Sequence, residues 1–70
     1  MKLRERVGQN IQDIRRDKGL SQEELAHISG IDRGYVGKLE NAKYAASIDM
    51  LEKIAQALDV DPSQLLAPRT

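Results

Sequence analysis

Apolar residues recur at helical spacing along almost the whole chain. In the first segment they follow steps of four, four and three residues, which places them on one face of a helix: Leu3, Val7, Ile11 and Ile14. Basic residues precede Gly19, and a glycine that adopts positive φ after basic residues is a common helix end. We therefore predict a first helix from about Leu3 to Lys18.

A capping motif indicates where the next helix begins. The Ser21 hydroxyl can accept a hydrogen bond from the backbone N–H of Glu24, and the Glu24 carboxylate can accept one from the N–H of Ser21. This reciprocal pair satisfies two backbone donors that a helix start otherwise leaves without partners. We predict a second, short helix over about 22–29, which ends before Gly30.

Three further residues favour helix starts: Asp32, Ser47 and Asp61. Pro62 suits a first helical position, since the N–H that it lacks would have no partner there. The helix that begins after Ser47 has a continuous apolar face: Ile48, Leu51, Ile54, Ala55 and Leu58. No stretch alternates with period two, so no strand is expected. The pattern predicts one all-α domain of five helices over residues 1–70.

Composition limits what such a chain can do. A single domain of 70 residues is too small to enclose a typical ligand pocket and still keep a core. There is no cysteine, so disulfides and thiolate metal sites are excluded, and no apolar run is long enough for a membrane span. We expect a cytoplasmic protein. Lys plus Arg and Asp plus Glu both number 11, but residues 1–38 carry a net charge of +2 and residues 39–70 one of −2.

The second and third helices are joined by only three residues, which is typical of a helix-turn-helix. If Val36 and Leu39 face the core, helical geometry turns the remaining residues of the third helix outward. That outward face is small, polar and basic: Gly34, Gly37, Lys38 and Asn41, with Arg33 at the N-terminal tip. Such a helix, over about 33–41, suits the major groove of DNA.

Residues 7–66 resemble the Xre-type helix-turn-helix, the lambda repressor-like fold of phage Cro proteins and repressors. The matching motifs occur in the same order and spacing: Ile14-Arg15, Gly19 to Ala26, Gly30-Ile31, Tyr35-Val36, Leu39-Glu40-Asn41, Leu51 to Ala55, and Ala57-Leu58. Residues 31–36 are also similar to restriction–modification controller proteins. The resemblance implies a compact five-helix Cro/repressor-like domain. It also implies a homodimer that binds double-stranded DNA at a near-palindromic operator and regulates transcription.

The resemblance implies specific roles on the DNA side. Base readout by the recognition helix is expected at Arg33 and at Lys38, which could instead reach a phosphate. Gly34 and Gly37 are added for a separate reason, which is their lack of a side chain. An arginine can donate to the two acceptors of guanine. A glycine has no side chain, so the helix backbone can approach the floor of the groove there. The alternative is that the two glycines arose by sequence drift and are tolerated despite their cost in a helix. Phosphate contacts fall to four others: Gln22, Tyr35, Asn41 and Lys43. Tyr35 also suits a position at the rim of the core.

Further roles concern the architecture. Arg15 and Glu40 match a structural ion pair that links the first helix to the end of the third. Relatives often carry glycine where this chain has Ala42, and more cations in the loop that follows, so phosphate contacts are few and the salt dependence shallow. We expect the dimer interface on the segment 47–49 and on the fifth helix and its tail: Ile48, Leu65, Leu66 and Pro68. Of these, Leu65 is expected to be buried and Leu66 to be shared between core and interface.

Two alternatives keep the fold but change the role: an antitoxin, and an adaptor that binds mainly other proteins. The neutral charge and the two glycines on the outward face favour the adaptor. An enzyme is not expected, because the sequence has no paired carboxylates, no nucleophile with a base, and no phosphate-binding loop. The one histidine, His27, is a surface residue in this interpretation. No metal, cofactor, membrane or small-molecule effector is expected.

Overall fold

The computed structural model describes residues 1–69, which form five helices and, within that range, no strand. They are α1 (Leu3–Asp17), α2 (Gln22–Ser29), α3 (Arg33–Glu40), α4 (Ile48–Leu58) and α5 (Pro62–Leu65). The predicted all-α fold is confirmed, with α1 and α3 each one residue shorter than expected because Lys18 and Asn41 act as C-caps. None of these helices is long and apolar enough to cross a membrane.

Short side chains fix the starts of α2, α3, α4 and α5, as predicted. Ser21 Oγ accepts from Glu24 N at 3.0 Å, and Glu24 Oε1 accepts from Ser21 N at 2.9 Å. Hydrogen bonding from Ser21, first of all from its backbone N–H, stabilises the carboxylate and lowers the pKa of Glu24. The other three caps accept from the backbone N–H two or three residues further on: Asp32, Ser47 and Asp61.

One apolar core holds the helices together. Six side chains from all five helices are completely or almost completely excluded from solvent: Ile11, Leu25, Val36, Ile54, Leu58 and Leu65. Burial of each such side chain contributes about 1.5–3 kcal/mol. The turn between α2 and α3 enters this core through Ile31, and Gly30 adopts a φ of 73° that a side chain would disfavour. The turn therefore sets the angle at which α3 leaves α2.

The first helix approaches the end of α3 closely at Gly8. A Cβ atom built on Gly8 would stand 2.4 Å from the carbonyl oxygen of Leu39 and 2.8 Å from that of Glu40. Both are backbone atoms that no side-chain rotation can move. Gly8 is therefore required for α1 to seat against α3, a role that the sequence pattern alone does not reveal.

The segment after α5 is fastened to α1. Asn10, which is buried, donates through Nδ2 to the carbonyl oxygens of Leu65 at 2.9 Å and Ala67 at 3.0 Å. Arg69 Nη1 donates back to Asn10 Oδ1 at 2.8 Å, and Arg69 Nη2 pairs with Asp13 at 2.7 Å. We refer to residues 65–69 as the C-terminal strap. It lies along α1 and covers one side of that helix.

Candidate nucleic-acid interface

The third helix presents a polar face to solvent. Val36 and Leu39 are buried in the core, whereas the side of α3 that faces away from it is exposed: Arg33, Gly34, Lys38 and Asn41. Gly37 differs from the expectation, since it is half-buried. The cause is the side chain of Gln22, whose Oε1 lies 3.6 Å from the position of a Cβ on Gly37.

A buried ion pair ties this face to α1. Arg15 Nε donates to Glu40 Oε2 at 2.7 Å, and Arg15 Nη2 donates to Glu40 Oε1 at 3.0 Å, in a two-point arrangement. Hydrogen bonding to Glu40 raises the pKa of Arg15 against the opposing effect of burial. Arg15 Nη1 also donates to the carbonyl oxygen of Leu20 at 2.8 Å. One guanidinium thus joins α1, the start of α2 and the end of α3.

Gln22 belongs to the same network. Its Nε2 donates to Glu40 Oε1 at 3.1 Å. The side-chain amide therefore extends from the start of α2 over Gly37 to the end of α3. An amide nitrogen carries two N–H groups, and the second is available to an acceptor from outside. The sequence suggested Gln22 and Glu40 for separate roles; the structure joins them. Their contact spans 18 residues, which no local pattern can indicate.

Arg33 and Glu23 lie side by side at the N-terminal tip of α3. Arg33 Nε is 3.4 Å from Glu23 Oε1, and both side chains are largely exposed. A pair of this kind contributes little to stability, since water screens it. The contact is a charge pair rather than a hydrogen bond, so the guanidinium donors remain available to another acceptor. Glu23 also places a negative charge on the outward face.

Tyr44 is part of the outward surface, although the sequence gave it no role. Lys38 Nζ donates to the Tyr44 hydroxyl at 3.2 Å and lies 4.8 Å from the centre of its ring. The Tyr44 ring packs against Tyr35 with centroids 5.6 Å apart and planes tilted by 52°. Tyr35 is half-buried against the core, and its hydroxyl donates to the carbonyl oxygen of Ala45 at 3.4 Å. We call Tyr35, Lys38 and Tyr44 the tyrosine–lysine cluster.

The end of α3 is closed by an alanine where a glycine is usual. Ala42 has a φ of 60°, its N–H donates to the Leu39 carbonyl, and the N–H of Lys43 donates to the Lys38 carbonyl at 2.8 Å. These two bonds define a Schellman motif, whose left-handed position favours glycine. Asn41 Nδ2 donates to the Gly37 carbonyl at 2.9 Å, and the Lys43 side chain is exposed.

The four residues expected at a dimer interface do not share one environment. Leu65 is completely buried, which confirms the expectation that it is buried and removes it from the residues assigned to the interface. Ile48 is 84% exposed, and Leu66 and Pro68 are also exposed. Leu66 lines an apolar groove between the start of α1 and the loop before α4. Leu3 and Leu51 line the same groove, although the sequence placed them only on the apolar faces of their helices and not at the interface.

Comparison with known proteins agrees with this geometry. The model of the Helix-turn-helix family matches residues 11–65. An HTH-type transcriptional regulator of Sinorhizobium fredii, y4dJ, is 38% identical over 68 residues, which are 97% of this chain and 88% of that protein. This chain therefore belongs to the Xre-type helix-turn-helix family, a family of DNA-binding transcription regulators rather than enzymes.

Two solved structures extend the comparison. The restriction–modification controller protein C.AhdI from Aeromonas hydrophila is 44% identical, with a TM-score of 0.87 over 89% of this chain and 94% of that one. SinR, a regulator of Bacillus species, has been solved in complex with DNA. It is 37% identical, with a TM-score of 0.83 over 87% of this chain and 98% of the solved one. Some relatives are longer, and this chain spans 62% of one and 44% of another.

Proposed function

We propose that this protein binds double-stranded DNA sequence-specifically with α3 in the major groove, and that it regulates transcription in the cytoplasm. The observation that carries the proposal is the exposed polar face of α3, which is held at a fixed angle by the α2–α3 turn and by the Arg15–Glu40 pair. A helix in this position, with its N-terminal residues towards the bases, is the docking geometry of helix-turn-helix proteins. The relative SinR, solved with DNA, supports the same partner.

Base readout in this proposal rests on few side chains. Arg33 offers two Nη groups, which match the O6 and N7 acceptors of guanine and give about 1–3 kcal/mol of discrimination. Lys38 lies one turn further along the same face. Gly34 and Gly37 add no side chain, so their part is close approach of the backbone to the bases. Much of the specificity then depends on the shape of the DNA.

Phosphate contacts surround that face. Gln22 lies at the N-terminus of α2, where backbone N–H groups and the helix dipole favour an anion, and its second amide N–H is directed by the bond to Glu40. Asn41 and Lys43 lie at the other end of α3. Tyr35 lies at the rim of the core, where its hydroxyl donates to a phosphate only in exchange for its 3.4 Å bond to the Ala45 carbonyl. Such contacts fix the position of a protein on DNA without carrying sequence information.

The reach of one domain supports a homodimer on a near-palindromic operator. An eight-residue α3 is roughly 12 Å long and covers about four base pairs. Two copies with recognition helices about 34 Å apart would double that site. The domain measures 29 × 21 × 20 Å, so two copies in edge contact reach this spacing if α3 lies on the side of each copy away from the contact. We place the interface on Ile48, Leu66 and Pro68, with the groove lined by Leu3.

The test is selection of bound sequences from random duplex DNA, followed by titration of the selected duplex at several salt concentrations. We expect an enriched site with two half-sites that each contain guanine. Arg33→Ala should flatten the preference at one base pair of each half-site. Lys43→Ala should weaken all sequences alike and lower the salt slope by about one. Glu23→Gln, the matched variant at the partner of Arg33, should tighten binding because it removes a negative charge near phosphates.

Two results would count against the proposal. If no sequence is enriched and binding disappears at moderate salt, the helix-turn-helix serves contacts with other proteins instead of DNA. The zero net charge and the Glu23 carboxylate on the outward face would then explain the weak binding to DNA. Sedimentation at micromolar concentration tests the dimer separately. A monomer that stays monomeric on the selected duplex would overturn the homodimer while leaving DNA binding intact.

A further inference from the structure

We propose that Tyr44 is a specificity-determining residue that acts by positioning Lys38 at the DNA face. The inference rests on the proposed function, because it concerns how one of the base-contacting side chains is held. Tyr44 lies outside the helix-turn-helix, in the loop between α3 and α4. Its role is therefore separate from the contacts that the recognition helix makes by itself.

The first step of the argument is the contact between the two side chains. Lys38 Nζ donates to the Tyr44 hydroxyl at 3.2 Å and lies 4.8 Å from the ring centre. A cation at this distance is attracted by the negative face of an aromatic ring. A lysine on an exposed helix face otherwise samples many rotamers. Two contacts with one tyrosine restrict these rotamers and reduce the entropy that Lys38 loses when it binds DNA.

The second step is that Tyr44 is itself held in place. Its ring packs on Tyr35 at 5.6 Å between centroids, and the Tyr35 hydroxyl donates to the carbonyl oxygen of Ala45 in the same loop. Tyr35 in turn packs against the buried core. The position of the Lys38 ammonium is thus fixed through two rings to the interior of the domain, instead of depending on solvent-exposed groups alone.

The third step concerns which hydrogen-bonding groups remain. An ammonium has three N–H donors, and the bond to the hydroxyl of Tyr44 uses one of them. The phenolic proton of Tyr44 is not used in that bond, so it can be donated outward. Lys38 and Tyr44 together present several donors side by side. The major-groove edge of guanine presents two acceptors, O6 and N7, and is the base that fits such a pair.

A double-mutant cycle on the selected duplex tests the coupling. Tyr44→Leu should reduce affinity roughly two- to fivefold, the range for an exposed cation–π contact, and Tyr44→Phe should lose less because the ring remains. On a duplex in which the base pair that depends on Lys38 is changed, the same variants should have almost no effect. When residue 38 is already methionine (Lys38→Met), Tyr44→Leu should cause no further loss.

Lys43→Met provides the matched control, since Lys43 lies in the same loop but outside the tyrosine–lysine cluster. Its effect should combine additively with that of Tyr44→Leu. A readout without DNA keeps the inference testable by itself: NMR of the free protein should show an NOE between the Lys38 ε-methylene and the Tyr44 ring protons, and Tyr44→Leu should abolish it. Tyr44→Phe retains the packing against Tyr35 and should fold as the parent does.

Three outcomes would overturn the inference. Additive effects of Tyr44→Leu and Lys38→Met would show that the two residues act independently. Tighter binding by Tyr44→Leu would show that the tyrosine withholds the ammonium from DNA. The absence of an NOE between the Lys38 ε-methylene and the Tyr44 ring would show that the contact is not formed in solution. If the parent protein selects no DNA site, the proposed function fails as well; if it selects a site and the cycle is additive, only the role of Tyr44 fails.

Discussion

Arg15 and Glu40 meet through two parallel N–H···O bonds, and this pair is the only salt bridge between largely buried side chains in the described part of the chain. The exposed fraction of the two side chains is 8% and 0%. Because the same carboxylate accepts from Gln22, the pair also fixes an amide at the proposed phosphate site. A structural contact and a binding contact therefore depend on one carboxyl group.

We expect removal of one partner to be costly. Arg15→Met should lower the free energy of unfolding by about 3–5 kcal/mol, because it leaves the Glu40 charge buried without a counter-ion. The double variant Arg15→Met/Glu40→Leu should recover much of that loss. Urea unfolding followed by circular dichroism provides the measurement. Equal stability of the single and double variants would contradict this account.

Ala42 offers a stabilising substitution. Its φ of 60° costs an L-residue roughly 1–2 kcal/mol, which glycine does not pay. Ala42→Gly should therefore raise the free energy of unfolding by about 1 kcal/mol, reduced slightly by the greater freedom of glycine in the unfolded chain. Ala45→Gly is the matched control, since Ala45 has no positive φ, and should be neutral or destabilising. Thermal unfolding of both variants decides the point.

Gly8 and Gly37 should respond oppositely to alanine, although both lie inside helices. Gly8→Ala forces Cβ against two carbonyl oxygens of α3 and should destabilise the fold by about 1–3 kcal/mol. Gly37→Ala meets only ordinary contact at 3.6 Å and should gain up to about 1 kcal/mol of helix propensity. If backbone approach to DNA matters at Gly37, the more stable variant will bind the selected duplex more weakly. Unchanged affinity would show that Gly37 is tolerated at this position and has no role in DNA binding.

Acid should weaken the fold through its helix caps. The pKa of Glu24 is lowered from its usual 4.5 by hydrogen bonds from Ser21, and that of Asp61 is lowered from 3.8 by those from Ser63. A carboxyl group with a lowered folded pKa stabilises the protein above its unfolded pKa and loses that contribution as pH falls through the folded value. Stability should thus be flat above about pH 5 and fall below it.

Glu24→Gln should make that acid-induced decline shallower, whereas Glu52→Gln should leave it unchanged, because Glu52 caps no helix. Chemical denaturation at a series of pH values from neutral to acidic checks both variants. A decline of the same steepness in Glu24→Gln as in the parent would contradict the assignment to the caps.

The sequence predicts the helices and their caps because these depend on neighbours. Ser21 and Glu24 are only three residues apart. A glycine at position 30 indicates positive φ at the helix end, because glycine adopts that conformation more readily than other residues do. The outward face of α3 follows from helical periodicity in the same way. What remains hidden depends on distant partners. Gly8 matters only because the carbonyls of α3 lie against it, and Asn10 because its acceptors lie 55 and 57 residues away.

The proposed site divides along the same line. The sequence suggests Arg33 and Lys38 from their places on one helix, but it does not show that Glu23 and Tyr44 contact them. The burial of Leu65 is predicted correctly, but the sequence does not show that Leu66, the next residue, lines an apolar groove beside Leu3. The type of a residue limits which contacts its side chain can make. Only the fold determines which of those contacts form.

The C-terminal strap has a kinetic consequence. Its bonds to Asn10 join positions 55 and 57 residues apart, so forming them closes a loop of almost the entire chain. Contacts of this span are expected late on the folding route, after α1 to α4 have met. Asn10→Ala should therefore speed unfolding severalfold and leave the refolding rate nearly unchanged, as stopped-flow chevrons can measure. The C-terminal strap would then set the unfolding rate, and with it the lifetime of the native state, without affecting how fast the chain folds.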